Sequence, residues 1–560
     1  MAFDGIVTKA IVTELKNTIL GSHVNKISQP TKTDIVLSLY GKTGANTLEI
    51  STNPDFCRIS LTNYSKQNPQ TPPNFCMLLR KYIQNTKIIE INTFDLDRVI
   101  EIVFEGYNEL NDLVKRKLYI EIMSRQSNII LTNENDMIID TIKHIDSTRE
   151  LLPAHEYILP VNDKKSFLNE NVHDFKNEVL NFQDKKLHKS IPSIYTGISR
   201  QFIKKSASIL AIDLENYTEN QLEDLFNYIK NIISNFGTQN INIVQDEKDY
   251  NITLNTCDIN LPINTFIDDY YHKLETLNLF TSARNNLLKV ILSNLKKVEK
   301  KLDNINEKLI ECDKKEIYKL YGELITANLY KIDTSKNFSE ISLENYYEEN
   351  KLITIPLDNS LPPNKNAEKY FKKYTKLKNA LEIVSKQKQE ALAELNYIES
   401  IVFSLSTAQN LNDIEEIYEE VSENVLLKRS LKNKFKKNRK FTKPANAIEL
   451  YKLNINGYTV YMGKNNVQND YLTLKFADRN DLWFHAQKYH GSHIILKTNG
   501  DDDIDEDTLF RCAKLAKENS KAQNALNIPV DYCPVRYVKK APGAKPGMVI
   551  YTNFKTIIVP

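Results

Sequence analysis

Tryptophan occurs once and cysteine six times in 560 residues, and the cysteines (Cys57, Cys76, Cys257, Cys312, Cys512 and Cys533) contain no Cys-x-x-Cys pair. That scatter excludes a zinc ribbon and offers no disulfide framework, so reduced core or surface thiols are expected. Glycine is scarce at 14 residues, and none builds a G-x-G-x-x-G turn, a Walker A loop or a G-x-S-x-G elbow. H-E-x-x-H is absent too. Without a nucleotide-binding loop the chain has no means of using GTP. No apolar run approaches the roughly 20 residues that a membrane span needs. The opening MAFDGIVTKAIVTELKN lacks a basic n-region, an apolar core and a small-residue cleavage site, and reads as the start of a folded domain. A cytoplasmic protein with no membrane partner is expected.

An excess of either charge is also missing, because the formal net charge is only +2. Its distribution is more informative. From Lys428 to Lys443 the run KRSLKNKFKKNRKFTK holds nine basic residues and no acid, and 508–560 holds nine against Glu518 and Asp531. Acid is stored elsewhere, notably in DDDIDED at 501–507. Such clustering is a footprint of polyanion binding, although a basic run alone is more often a solvated linker.

The pattern along the chain predicts an α+β multidomain protein. Residues 1–175 mix a helical stretch, KAIVTELKNTIL, with the alternating segments TDIVLSLYG, NTLEISTN, RVIEIVFEG, RKLYIEIMS and NIILTNEN, which read as an antiparallel sheet. Residues 176–235 read as short helices around a turn containing Gly197, with Thr218 and Gln221 as a capping box. That is either a small packing domain or a helix-hairpin-helix gripping phosphates through turn amides. Strands within 236–265 are expected to return to the first domain.

From 268 to 427 two heptad registers appear, one through Leu288, Ile291, Leu295, Val298, Leu302, Ile305, Leu309 and Cys312. The other runs from Tyr370 to Leu405, and KLITIPLDNSLPPNKN between them reads as a non-helical tip with three prolines. This predicts a long antiparallel coiled-coil hairpin. A basic linker, 428–444, leads to an α+β module at 445–560, with YTVYMG, YLTLKFA, HIILKT, GMVIYT and TIIVP as strands and TLFRCAKLAKENSKAQ as a helix.

Several polar groups invite a functional reading. Lys464, Asn465 and Asn466, followed by Gln468, Asn469 and Asp470, are costly to bury unpaired, so their donors are expected to face a polar partner such as RNA. Trp483 and His485 in DLWFHAQ offer rings that could stack on bases, against the commoner alternative of core. His485, His490 and His493 lack a fourth ligand at metal spacing, and no metal or other cofactor is expected. Lys539, Lys540 and Lys545 flank two glycine turns in KKAPGAKPGMV, a pattern shared by phosphate cradles and plain hairpins. Asp97 and Arg98 stand as a charged pair at the mouth of a strand, where they can form a plain salt bridge, and Arg125, within strand-like sequence, either pairs internally or reaches a phosphate.

Taken in order, MAFDG, FDLDRV, EIMSRQSNIIL, the helix–glycine–helix region, LPPNKNAEKYFKKYTKLK, GKNNVQNDYLT, DLWFHAQKYHGSHIIL and KKAPGAKPGMVIY resemble the NFACT family over essentially the whole chain. The resemblance implies an NFACT-N domain, a helix-hairpin-helix domain, a coiled-coil middle domain and an NFACT-R domain. It implies binding to the large (50S) ribosomal subunit that still carries peptidyl-tRNA, contact with rRNA, and recruitment of alanyl-tRNA for template-free alanine tailing of stalled chains. The peptidyl transferase centre would make the bonds, so no catalytic residue is expected, and a monomer suffices. By position Asp97 and Arg98 match the family's tRNA-handling pair, and Glu121, Ile122 and Met123 match a second functional segment. Arg125 becomes a candidate phosphate contact. The family usually reads Gly-Arg-His-Ser where this chain has Ser124, Arg125, Gln126 and Ser127.

Two other classes compete. A fibronectin-binding surface adhesin calls for an export signal or anchor. A nucleic-acid enzyme of glycosylase-like fold calls for an amino-terminal proline–glutamate nucleophile, whereas Ala2 and Phe3 follow the initiator here.

Overall fold

The computed structural model describes residues 3–147, 149–238, 241–245, 249–254, 262–332, 339–423, 450–501 and 503–560. The chain divides into two compact units, Met1–Asn278 and Leu279–Pro560. The basic linker at 428–444 and Cys257 lie outside the described residues.

In the first unit nine strands form one antiparallel sheet, in the order Arg58–Leu61, Gly44–Ser51, Asp34–Gly41, His23–Ser28, Lys87–Thr93, Val99–Tyr107, Leu113–Glu121, Asn128–Asn133 and Ile138–Thr141. The five alternating segments read from sequence are all strands of this sheet. Two central strands gave no such signal. His23–Ser28 and Lys87–Thr93 both carry register shifts, between Val24 and Lys26 and between Ile88 and Glu90, and a bulge breaks the two-residue period.

Helix Gly5–Ile19 is capped by Asp4, whose side chain accepts from the Val7 amide, and it buries Ile6, Ala10, Ile11, Leu15 and Ile19. Helices Val172–Asn181, Leu187–Ile194, Arg200–Ile209 and Glu219–Ser234 follow, the last opened by a complete Thr218–Gln221 capping box. Their apolar faces, including Phe175, Ile191, Phe202 and Leu222, share one hydrophobic cluster with the sheet. Ile241–Gln245 and Tyr250–Leu254 pair with each other as a separate ribbon and contribute Ile241, Tyr250 and Ile252 to that cluster. A charge network no motif announced is buried beside it. Arg58, 1% exposed, meets Glu49 at 3.2 Å and Glu275 at 2.6 Å, and Lys66 bridges Glu49, Glu275 and Asp34.

In the second unit the part of helix Ile263–Asp313 beyond Leu279 pairs antiparallel with helix Pro363–Thr407. Arg284 donates to the Leu405 carbonyl at 2.8 Å and Lys301 meets Glu394 at 3.1 Å. Ile291, Val298, Leu302 and Ile305 bury against Val384, Ala391, Ile398 and Leu405, the expected coiled-coil seam. The 45-residue return helix is about 67 Å long at 1.5 Å per residue. A third helix, Leu411–Glu423, joins the seam through Ile414, Ile417 and Val421.

The tip is not the bare breaker that its prolines implied. Strands Glu340–Asn345 and Lys351–Pro356 form a hairpin, and Leu324, Ile325, Leu343, Ile355 and Tyr370 give it a small core. Pro362 and Pro363 stand at the N-cap and first turn of the return helix, where a missing amide hydrogen costs nothing.

The carboxyl-terminal module is a six-stranded antiparallel sheet, in the order Tyr451–Ile455, Tyr458–Met462, Ile494–Leu496, Leu482–Ala486, Ile528–Pro534 and Lys555–Val559. Helix Glu506–Glu518, N-capped by Asp505, packs Cys512, Ala513 and Ala516 against Val460, Phe484 and Val530. YLTLKFA is not a strand. Its residues continue helix Asn466–Tyr471 into a π-helical turn, Leu472–Phe476, which the Asn465 cap sets going. Alternation over so few residues did not distinguish the two.

Candidate RNA-contacting surfaces

In the first unit, sheet pairing brings the two segments singled out from sequence together. Val99 pairs with Glu121, and the Ile122 amide donates to the Arg98 carbonyl at 2.9 Å. Asp97 and Arg98 form the turn entering strand Val99–Tyr107, and Glu121–Met123 leaves the adjacent strand. Both Asp97 and Arg98 are half-buried. The Asp97 carboxylate accepts from the backbone amide of Arg98 at 2.6 Å, so it fixes the turn itself.

A tight junction holds that turn from behind. The Gly5 amide donates to the Gly197 carbonyl, and a Cβ at either glycine would stand 1.8 Å from the Leu96 carbonyl oxygen. Gly197 also has φ +75. The glycine turn between the helices is thus packed against Leu96, with its carbonyl committed to Gly5. Asp4 lies in the same corner, and burial raises its carboxyl above the usual range against the pull of Ser199, Val7 and Arg98.

Glu121 and Ile122 cannot touch a ligand directly from this position. Ile122 is fully buried, and Glu121, 2% exposed, takes both Arg149 nitrogens at 2.5 and 3.0 Å and the Tyr157 hydroxyl at 2.9 Å. Tyr157 in turn stacks on Tyr119 at 4.0 Å. These residues anchor the strand end, where the resemblance implied a second functional segment. Met123 is half-buried against this cluster, and its amide donates to Ser127 Oγ at 2.7 Å. Arg125 is exposed on the short turn Ser124–Gln126, with no ion-pair partner among the described residues.

In the second unit the amide-rich turn faces inward, contrary to expectation. Asn465 is 1% exposed, caps helix Asn466–Tyr471 through the Gln468 amide, and donates to Glu416 at 2.7 Å. Gln468 donates to the same Glu416 oxygen at 2.7 Å. Asn466 donates to Glu420 and to Ser400 Oγ, each at 2.9 Å. The polar partner is therefore the coiled-coil stem, and two glutamates one helical turn apart supply it. Burial pushes the Glu420 carboxyl up to about 7. The Glu416–Glu420 spacing was the available signal, but nothing local ties it to a turn some fifty residues away. Lys464 lies 3.9 Å from Asp413 with its ammonium over the Tyr451 ring.

Trp483 is fully buried and is no base platform. His485 stacks on it at 5.6 Å, and His493 and Tyr551 meet it at 5.3 and 4.8 Å. Burial brings the His485 imidazole down to about 4 and leaves His493 well below its ordinary value. Neutral rings suit this interior. His493 shares a hydrogen bond with Thr473, and His490 pairs with Glu399 at 3.3 Å. Among the described residues no group of three or more acidic, histidine or cysteine side chains could hold a metal ion.

The glycine turns do form a cradle, and a carboxylate of the chain fills it. Asp470 accepts from the Gly547 amide at 2.9 Å and from the Lys540 ammonium. Gly547, at φ +77, has Asn466 pressed where a Cβ would be. Lys539 and Lys545 remain exposed, the latter over the Tyr397 ring at 5.6 Å.

A profile described as NFACT N-terminal and middle domains matches residues 4–440, and one described as NFACT protein RNA binding domain matches residues 449–553. The chain belongs to the NFACT family. Among curated NFACT relatives, the Rqc2 homolog RqcH of Bacillus subtilis (strain 168) is 35% identical over 575 residues, covering 100% of this chain and 98% of that protein. The Rqc2 homolog RqcH of Streptococcus suis (strain 05ZYH33) is 32% identical over the whole of this chain and 98% of its own. The archaeal Rqc2 homolog aRqcH of Methanocaldococcus jannaschii is 25% identical over 91% of this chain and 80% of its own. Among solved structures, the N-terminal part of the fibronectin/fibrinogen-binding protein from Streptococcus suis is 26% identical, covering 48% of this chain and 99% of that chain at a TM-score of 0.41.

The backbone at position 124 has a conformation suited to glycine. Ser124 holds φ +52, a left-handed conformation that glycine adopts without strain. The turn is closed by the Ser127 amide, which donates to the Ser124 carbonyl at 3.1 Å.

Proposed function

We propose that this NFACT protein is a ribosome quality control factor. In this reading it binds the obstructed 50S subunit carrying peptidyl-tRNA and recruits alanyl-tRNA for template-free alanine tailing of the nascent chain. The observation that carries this is the full-length similarity to Rqc2 homologs, 35% identity over 98% of the Bacillus subtilis protein, with both NFACT modules in one chain. The role is non-catalytic: the chain positions RNA, and the ribosome makes the peptide bonds. A single copy of the protein serves one subunit.

The surface best suited to tRNA is the Asp97–Arg98 turn together with Arg125, which follows the end of the neighbouring strand by four residues. Arg98 supplies a cation for a phosphate or base edge, and Asp97 holds the turn. Glu121, Ile122 and Met123 act by positioning, since Glu121 locks Arg149 and Tyr157 beneath the strand end. In the NFACT-R module Lys539 and Lys545 face outward for rRNA, whereas Asn465, Asn466, Trp483 and His485 shape the fold that presents them.

Co-sedimentation tests this reading. Tagged protein from a lysate should run in the large-subunit fraction of a sucrose gradient with alanine tRNA enriched among the bound RNAs. Migration at the top of the gradient without RNA would sink it and leave the coiled coil in need of a protein partner.

A further inference from the structure

The helix Ile263–Asp313 carries a row of cations that the Asp97–Arg98 site leaves unused. Lys289, Lys296, Lys297 and Lys300 are all exposed, and none has an ion-pair partner among the described residues. Their neighbour Lys301 differs, being held by Glu394 at 3.1 Å. At 3.6 residues per turn the four fall within about a 100° sector. That sector lies opposite the buried seam of Ile291, Val298 and Leu302, so the lysines project from the far side of the coiled coil. With Leu292 and Ser293 they line one open surface depression, and Lys297 and Lys300 continue into a second with Asn304 and Lys308. Glu299 falls about 60° outside the sector, and Asp303 and Glu307 close the basic stretch.

We propose that the Lys289–Lys300 face docks along the phosphate backbone of a ribosomal RNA helix without reading its sequence. This rests on the ribosomal reading above. The choice of RNA follows from charge density. Twelve residues of helix, Lys289 to Lys300, place four ammonium groups within about 17 Å. A nucleic-acid duplex offers one negative charge per roughly 1.7 Å of axis, enough for every lysine at once. Lysine is a compact point charge on a flexible stem, suited to tracking phosphates rather than to forked recognition of one carboxylate. The row has no aromatic for base stacking, which fits contact without base readout.

The test compares full-length protein with a Lys289→Glu, Lys296→Glu, Lys297→Glu, Lys300→Glu variant, and with the same four changed to Gln. Binding is measured to purified 50S subunits and to protein-free large-subunit rRNA, over about 50 to 200 mM salt. The Glu set should lose at least roughly tenfold in affinity at low salt on both targets, and its plot of log affinity against log salt should flatten by about 4. The Gln set should fall in between, with the circular dichroism of the parent. Affinity within twofold of the parent, at an unchanged slope, overturns the lysine face while leaving the ribosomal reading intact. Loss on subunits but not on bare rRNA assigns the face to an acidic ribosomal protein and also overturns the proposal. Failure of the parent itself to bind subunits removes the ribosomal reading first.

Discussion

The Asp97–Arg98 turn and the Lys464–Asp470 turn look alike as sequence, each a polar break beside apolar strands, yet the fold treats them in opposite ways. The first stays at a strand mouth, half-exposed, with its acid spent on its own backbone amide. The second is taken inside, where Glu416, Glu420, Ser400 and Gly547 satisfy Asn465, Asn466, Gln468 and Asp470. Composition requires only that buried amides find partners. It does not say whether a ligand or a helix of the same chain provides them, and here the stem does so for one turn and not the other.

The comparison can be broken most severely at Trp483, which belongs to the inward-facing region. Trp483→Ala should cost on the order of 3–5 kcal/mol in denaturant unfolding, as for other large-to-small core changes. A stable variant with weakened RNA binding would return this ring to the surface as a base platform.

Asn466→Ala comes next, since it strips a donor from buried Glu420 and should cost about 1–3 kcal/mol. Glu420 adds a pH signature whose sign follows from its carboxyl being raised to about 7. Between the ordinary glutamate value and about 7, the folded chain holds a proton that the unfolded chain releases. Stability contributed by this group is therefore greatest at low pH and declines as pH rises through that window. Glu420→Gln should flatten the decline, and an unchanged pH profile would remove Glu420 from the account.

The smallest effect belongs to the outward-facing region. Arg125→Ala should leave stability within about 0.5 kcal/mol, because the side chain is exposed without an ion-pair partner. It should nonetheless weaken tRNA recruitment severalfold, and a variant indistinguishable from the parent in tRNA binding would take Arg125 out of the site.

Much of the architecture was legible because it rests on periodicity. Alternating runs such as RVIEIVFEG and heptad positions such as Ile291, Val298 and Leu302 became the strands and seam they promised. What the pattern missed was set by long-range partners or by broken periods. Strand His23–Ser28 hid behind its bulge, and the tip hairpin was masked by prolines that cap the helix after it. YLTLKFA alternated like a strand, but the cap at Asn465 commits it to a helix. Of the site, the segments at Asp97–Arg98 and at Glu121 came separately from family motifs, and only the sheet register pairs them. The burial of Glu121 under Arg149 was visible in neither composition nor spacing.

The measurement that bears most directly on the account is alanine tailing in a reconstituted reaction with obstructed 50S subunits and alanyl-tRNA, using an Asp97→Arg, Arg98→Glu variant. Tailing should be abolished while subunit binding stays within about threefold, the lysine face and NFACT-R module being untouched. Normal tailing by that variant would contradict the placement of tRNA at this turn.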